Sequence, residues 1–194
     1  MSENKRIEID FLYVDIESCT RCKGTDANLT TAVQMAQSLL DAADAGVIVR
    51  KTLVDSEQLA MEVGLVSSPT IRVNGRDIDV DLRESGCEDC TEICGCGEEI
   101  ACRVWRYKGQ DYEIAPVPVL LNAIMSAVYS PSRADVHAPR PRTLSENLRK
   151  FFAAKRESAK VCCGPERAAA CCAPEEKTSC CGGVSQLQPA TCGC

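Results

Sequence analysis

Sulfur is the chemistry this chain has to offer. Its 194 residues include fifteen cysteines and one histidine, His137, which lies in a Pro- and Arg-rich stretch. The cysteines form three constellations. Cys19 and Cys22 stand at C-x-x-C spacing. Cys87, Cys90, Cys94, Cys96 and Cys102 follow one another with two, three, one and five residues between them. Cys162-Cys163, Cys171-Cys172 and Cys180-Cys181 begin nine residues apart, and Cys192-Gly193-Cys194 closes the chain.

Each constellation suits a particular chemistry. A C-x-x-C pair is a dithiol whose thiolate is the reactive species, and a helix N-terminus or nearby cation can lower its pKa from about 8.5 into roughly the 3.5–7.5 range. Arg21 and Lys23 are the cations at hand. Cys19 is then the expected nucleophile, and Cys22 resolves the mixed disulfide or forms the second arm of a metal clamp. The plainer reading is two buried structural thiols. In the second group, four thiolates suit tetrahedral zinc or an iron–sulfur cluster. Cys87, Cys90, Cys94 and Cys102 are the preferred four, with Cys96 able to replace one; the plainer reading is a redox-labile loop of free thiols. The vicinal pairs close a disulfide only through a strained ring, and strained disulfides reduce readily. Held reduced, Cys162, Cys163, Cys171, Cys172, Cys180, Cys181, Cys192 and Cys194 offer paired soft donors. Such pairs suit trivalent arsenic or antimony, mercury(II) or copper(I), and repetition lets one pair pass an ion to the next or to the C-x-x-C. A low-complexity tail without function is the plainer reading here.

The totals narrow the classes. A net charge of −6 gives no electrostatic footprint for nucleic acid. No apolar run approaches the ~20 residues of a membrane span, and the first residues carry no signal-peptide pattern. A cytoplasmic location is expected. In a reducing compartment this many cysteines point to metal binding or redox chemistry rather than to a disulfide framework.

The elements that must position these sulfurs read as an α/β chain. Ile7–Ile16 alternates and then turns continuously apolar, a strand buried on both faces in its second half. A helix is predicted from Asp26, capped by Thr25 or Asp26, with Leu29, Val33, Ala36, Leu40 and Ala43 on one face. Val47–Val54 is a strand. Asp55-Ser56-Glu57-Gln58 has capping-box spacing and opens a short helix ending at Gly64. Ile71–Val73 and Ile78–Leu82 flank the Asn74-Gly75 hairpin turn. The strand–helix–strand order implies a right-handed parallel unit. A second hairpin spans Arg103–Tyr107 and Tyr112–Ile114, with Trp105 and Tyr107 as core or sheet-face residues. Val119–Val128 is a core helix after Pro116 and Pro118. Thr143-Leu144-Ser145-Glu146 caps a last helix, expected to dock through Leu148, Phe151 and Phe152 while its basic side chains are solvated. The organisation predicted is a domain over 1–128 with a Cys-rich insertion at 83–102, a linker at 129–142, an amphipathic helix at 143–160 and a disordered vicinal-Cys tail at 161–194.

Cys19-x-x-Cys22 after the first strand, with Ser68-Pro69-Thr70 before the third, resembles the thioredoxin-like superfamily over roughly residues 5–128. That resemblance implies a mixed sheet with flanking helices, a cis Pro69 beside the C-x-x-C, and a site role for Pro69 with Cys19 and Cys22. More closely, the runs Glu17–Leu29, Cys102–Gly109 and Glu146–Phe152 look like an uncharacterised bacterial thioredoxin-like family, some of whose members are loosely labelled mercury-related. The chain departs from thioredoxin: no Trp precedes Cys19, Thr20-Arg21 replaces Gly-Pro, and Gly24 predicts that Cys19 lies on a loop ahead of the helix. The vicinal pairs resemble those of arsenical-resistance metallochaperones, as pairs only.

Three functions follow. The first is a cytosolic thiol protein that binds soft metal or metalloid ions (arsenic, mercury, copper or zinc) for detoxification or delivery. The second is a thiol–disulfide oxidoreductase, or thiol-dependent reductase, working through Cys19 and Cys22 with a redox partner protein. The third is an interaction module stabilised by zinc or an iron–sulfur cluster at the 87–102 cysteines. Nucleic acid and membrane are not expected partners.

Overall fold

The computed structural model describes residues 5–129 and 143–161. The chain is mixed α/β, with two sheets and five helices in that described part. β1 (Lys5–Tyr13) lies inside a four-stranded sheet. It pairs in parallel with β2 (Ala45–Leu53) and antiparallel with β3 (Thr70–Val73), which turns back into β4 (Arg76–Asp77). The parallel pair requires a crossover, supplied by α1 (Thr20–Ala42). After α2 (Glu57–Val63) and the β3–β4 hairpin, β5 (Arg83–Gly86), β6 (Ala101–Tyr107) and β7 (Gln110–Tyr112) make a second, antiparallel sheet. α3 (Glu88–Cys94) lies between β5 and β6, and α4 (Val117–Tyr129) and α5 (Glu146–Val161) close the order.

The sheet separates two cores. Ile7, Ile9 and Phe11 of β1 join Leu29, Ala36, Leu40, Trp105, Leu120 and Ile124 in one. Leu12 and Val14 join the other, with five buried free cysteines and Leu144, Leu148, Phe151 and Phe152 around α5. The late part of β1 is thus buried on both faces, as its unbroken apolar run predicts. α5 is docked, through the side chains expected, and Asn147 Oδ1 accepts the Ala101 amide at 3.0 Å.

Several boundaries differ from the sequence reading. α1 starts at Thr20, not Asp26. Gly24 lies inside it because Ile114 packs there: a Cβ would sit 2.5 Å from Ile114 Cδ1. Thr25 is no cap; its hydroxyl accepts the Ala115 amide at 3.2 Å. α2 is capped by Ser56, whose Oγ accepts from Leu59 N at 3.4 Å. α5 begins after Ser145, whose Oγ accepts from Leu148 N at 3.3 Å. The return strand predicted at Ile78–Leu82 does not form. Asp77 and Asp79 instead accept the amides two residues on, each at 3.1 Å, a local turn that competes with a ladder, and Val80 is left 93% exposed. The Cys-rich 83–102 segment forms a strand, a helix and the start of another strand. Of the tail constellation, Cys162 to Cys194 lie outside the described residues.

Phe151→Ala removes a ring buried between α5 and the cysteine core. A loss of about 3–5 kcal/mol is expected in urea unfolding; an unchanged midpoint would show that α5 is not part of the cooperative fold.

Candidate metal centre

Two helices deliver four of the five free cysteines among the described residues, and they do so in the same way. Cys19 is the N-cap of α1, and Cys22 lies in its first turn. Cys87 is the N-cap of α3, and Cys90 lies in its first turn. Both caps are extended, with φ −79° and ψ 112° at Cys19 and φ −131° and ψ 103° at Cys87, and neither side chain makes a capping hydrogen bond. An oxygen side chain would normally occupy that position and accept a first-turn amide. Here a sulfur does, at the end of the helix that favours negative charge. The turn into α1 is shaped by Asp15, whose Oδ1 accepts from Ser18 N at 2.6 Å and Cys19 N at 3.2 Å. Asp89 of α3 accepts the Thr20 amide at 2.6 Å, which ties the two helix starts together.

Cys102 arrives from β6. Its Sγ lies 3.1 Å from Cys90 Sγ, and Cys90 Sγ lies 3.8 Å from Cys19 Sγ. The sulfurs of Cys19, Cys87 and Cys90 all fall within 4.8 Å of one another, and together could hold a metal ion. All five free cysteines among the described residues are buried. Cys22 stands to one side, 3.5 Å from Ser68 Oγ. Ser68 also accepts the Val14 amide at 3.2 Å, and the Ser68-Pro69 bond is cis, as the resemblance implied.

Protons are shared unevenly across the cluster. Cys19 is held well below the ordinary thiol pKa, because the thiols of Cys102, Cys22, Cys87 and Cys90 bond to it and outweigh its burial. Cys87 is also lowered, by Cys102 first and by Cys90, against the opposing pull of Cys19 and burial. Cys102 is pushed up by donating to Cys19, Cys87 and Cys90 and by burial. Cys22 is pushed up by its bond to Cys19 and by burial. Cys90 is pulled down by Cys102, yet its bonds to Cys19 and Cys87 and its burial win, and it too is raised. The two N-cap sulfurs are thus shifted toward the thiolate form, and Cys22, Cys90 and Cys102 away from it.

Arg21 does not activate Cys19, as the sequence reading expected. Its guanidinium, 5% exposed, turns the other way. It donates to the carbonyl oxygens of Ser85 at 3.1 Å and Cys102 at 3.4 Å, to Gly86 O, and to Ser85 Oγ at 3.0 Å, and pairs with Glu113 at 2.5 Å. It clamps the residues just before Cys87, and Cys102 itself, to the helix that carries Cys19. Lys23 is exposed.

The expected set of Cys87, Cys90, Cys94 and Cys102 is not the set brought together. Cys94 is joined to Cys96 in a disulfide, which leaves neither as a thiolate donor, and Cys19 completes the group instead. The matching C-x-x-C spacing at 19–22 and 87–90 is the one hint in the sequence of a link between the two segments, and by itself it does not bring them together. Nothing in the sequence marked Arg21 as the clamp.

This chain belongs to the family described as domain of unknown function DUF2703. The family model matches residues 6–124. The match spans β1 into α4 and contains all five free cysteines of the cluster, whereas α5, which covers them, lies outside it. No curated protein and no solved structure matches the chain. Among the described residues of this DUF2703 protein, no helix is long and apolar enough to cross a membrane.

Arg21→Met leaves three backbone carbonyls without their charged donor. A loss of about 3 kcal/mol in denaturant unfolding is expected, together with faster alkylation of Cys87 and Cys102 in the folded protein. If the Cys87 and Cys102 alkylation rates stay at the wild-type level, Arg21 is not what holds them to α1.

Proposed function

We propose that this DUF2703 protein is a cytosolic, thioredoxin-like thiol protein that binds soft metal or metalloid ions through thiolates. The observation that carries the reading is the buried convergence of Cys19, Cys87, Cys90 and Cys102. Sulfurs gathered in an apolar core and shifted toward the thiolate form carry a desolvation cost that a cation would compensate. Four sulfurs ligating one tetrahedral ion at about 2.3 Å stand about 3.8 Å apart; here Cys90–Cys19 is 3.8 Å, Cys102–Cys90 is 3.1 Å, and Cys19, Cys87 and Cys90 lie within 4.8 Å of one another. A group this tight fits a single ion better than an iron–sulfur cluster, whose inorganic core spreads its cysteines. Zinc takes all four sulfurs; trivalent arsenic or mercury(II) takes two or three. The tail pairs capture ions from solution and pass them to the cluster, so the role is detoxification or delivery.

The thioredoxin-like reading rests on the parallel β1–α1–β2 unit, the β3–β4 hairpin and the cis Ser68-Pro69 bond beside Cys22. That last feature favours a second reading, thiol–disulfide exchange through Cys19 and Cys22. Burial weighs against it: Cys19 is 0% exposed, and exchange with a protein disulfide needs in-line access to the attacking sulfur.

The test uses native mass spectrometry on the full chain and on a variant with the eight tail cysteines changed to serine. Under zinc, cadmium(II) or arsenite, the tail-serine variant is expected to keep one tightly held ion while the full chain takes up several more. Adding Cys19→Ser to the tail-serine variant should weaken retention at least about tenfold, the scale of losing one ligand's positioning, whereas Cys22→Ser should keep the ion. Retention unaffected by Cys19→Ser would sink the cluster as the binding site. Disulfide reductase activity that is lost with Cys22→Ser would favour the exchange reading.

A further inference from the structure

We infer that Cys94 and Cys96 form a redox-controlled portal through which ions reach the buried cluster. The inference rests on the cluster being an ion site.

A fully buried site needs a way in. Cys19, Cys22, Cys87, Cys90 and Cys102 are all buried, and α5 covers them with Leu144, Leu148, Phe151 and Phe152. Among the described residues, Cys96 is the one cysteine that reaches the surface in part. It is bonded to Cys94, which is buried in the same core as the cluster. Cys87, Cys90 and Cys94 recur at helical spacing on the inward side of α3. Residues four apart on a helix have Cβ atoms about 5–6 Å from each other, so Cys94 stands one turn along α3 from Cys90 and is equally buried. The proposed route runs from the partly exposed Cys96 to its disulfide partner Cys94, and from there through the shared core to Cys90 with Cys102 and Cys19.

The route conducts an ion only when its outer end is open. With Cys94 and Cys96 joined, neither sulfur can ligate. When a phosphine breaks the bond, it takes the oxygen of one water as phosphine oxide, and two thiols remain. Those thiols capture cadmium(II) with release of two protons. Passage inward to Cys90 is then ligand exchange with no change of oxidation state, each new bond forming as an outer one is lost. The pair also senses the cover. Gly95 between the two cysteines takes a left-handed φ of 62°, and the Cβ that it lacks would meet Ser158 Oγ at 2.8 Å. Ser158 of α5 donates to Cys94 O at 2.9 Å. Opening the disulfide therefore loosens the segment on which the end of α5 rests.

The experiment follows cadmium(II) loading in the full-length tail-serine variant, anaerobically. One sample keeps the Cys94–Cys96 bond closed, and the other is reduced with a phosphine and desalted. Timed samples are quenched with excess EDTA, which strips surface ions, and the retained cadmium is counted by native mass spectrometry. The same pair of samples is prepared with C94S/C96S added. The reduced protein is expected to load at least about tenfold faster than the closed one, because the opened pair raises the local ion concentration at the cluster. In C94S/C96S the phosphine should make no difference, with loading at the closed rate. Equal rates in the closed and reduced proteins would overturn the portal while leaving the cluster intact, as would a phosphine effect that survives C94S/C96S. If no sample retains cadmium at the longest time, the cluster reading fails and the portal fails with it.

Discussion

A sulfur anion in an apolar core must be compensated locally, and the cysteine side of this molecule is arranged around that requirement. Cys19 and Cys87 sit at 0% and 2% exposure among leucines and phenylalanines. Water cannot solvate them there, so their neighbours must. Three thiols do so by donating hydrogen bonds, and two helix N-termini point the same way. On the proposed reading, a bound cation supplies the rest of that compensation. The requirement explains why sulfurs distant in sequence are held within a few ångströms rather than kept apart as inert core residues.

Holding them there takes most of the second core. The β1–α1 turn fixes Cys19 through Asp15. Asp89 fixes the start of α3 against the start of α1. Arg21 spends its donors on the backbone flanking Cys87 and Cys102. The second sheet is joined to the first by Arg103, whose guanidinium pairs with both oxygens of Asp77 at 2.6 and 2.7 Å and whose amide donates to Ser68 O at 2.9 Å. Through Arg103 the cis-proline segment, the C-x-x-C helix and the strand that carries Cys102 share one framework. α5 then closes the core that these elements leave open.

The strongly patterned elements were legible in the sequence. β1, the parallel crossover, the Asn74-Gly75 hairpin and the docked C-terminal helix follow from periodicity and turn chemistry. The errors have physical causes. Gly24 reads as a helix breaker, but it is a close-approach position dictated by Ile114, a partner 90 residues away. Ile78–Leu82 reads as a strand, but Asp77 and Asp79 accept the amides two residues on, those of Asp79 and Asp81. Arg21 reads as an activating cation because it is adjacent in sequence, whereas its side chain has better partners in carbonyls more than sixty residues on. For the site, residue type and spacing pointed to sulfur chemistry and named Cys19, Cys87, Cys90 and Cys102 among the candidates. They could not show that two C-x-x-C motifs face each other, since that depends on how β5 and β6 fold back on α1. Nor could they show that Cys94 turns to Cys96 rather than to the cluster.

X-ray absorption at the zinc edge, on the zinc-loaded tail-serine variant, addresses the central claim most directly. One zinc per chain surrounded by four sulfurs at about 2.3 Å is the result this account predicts. A first shell with nitrogen or oxygen neighbours, or with fewer than four sulfurs, would contradict it and return the buried cysteines to a purely structural or redox role.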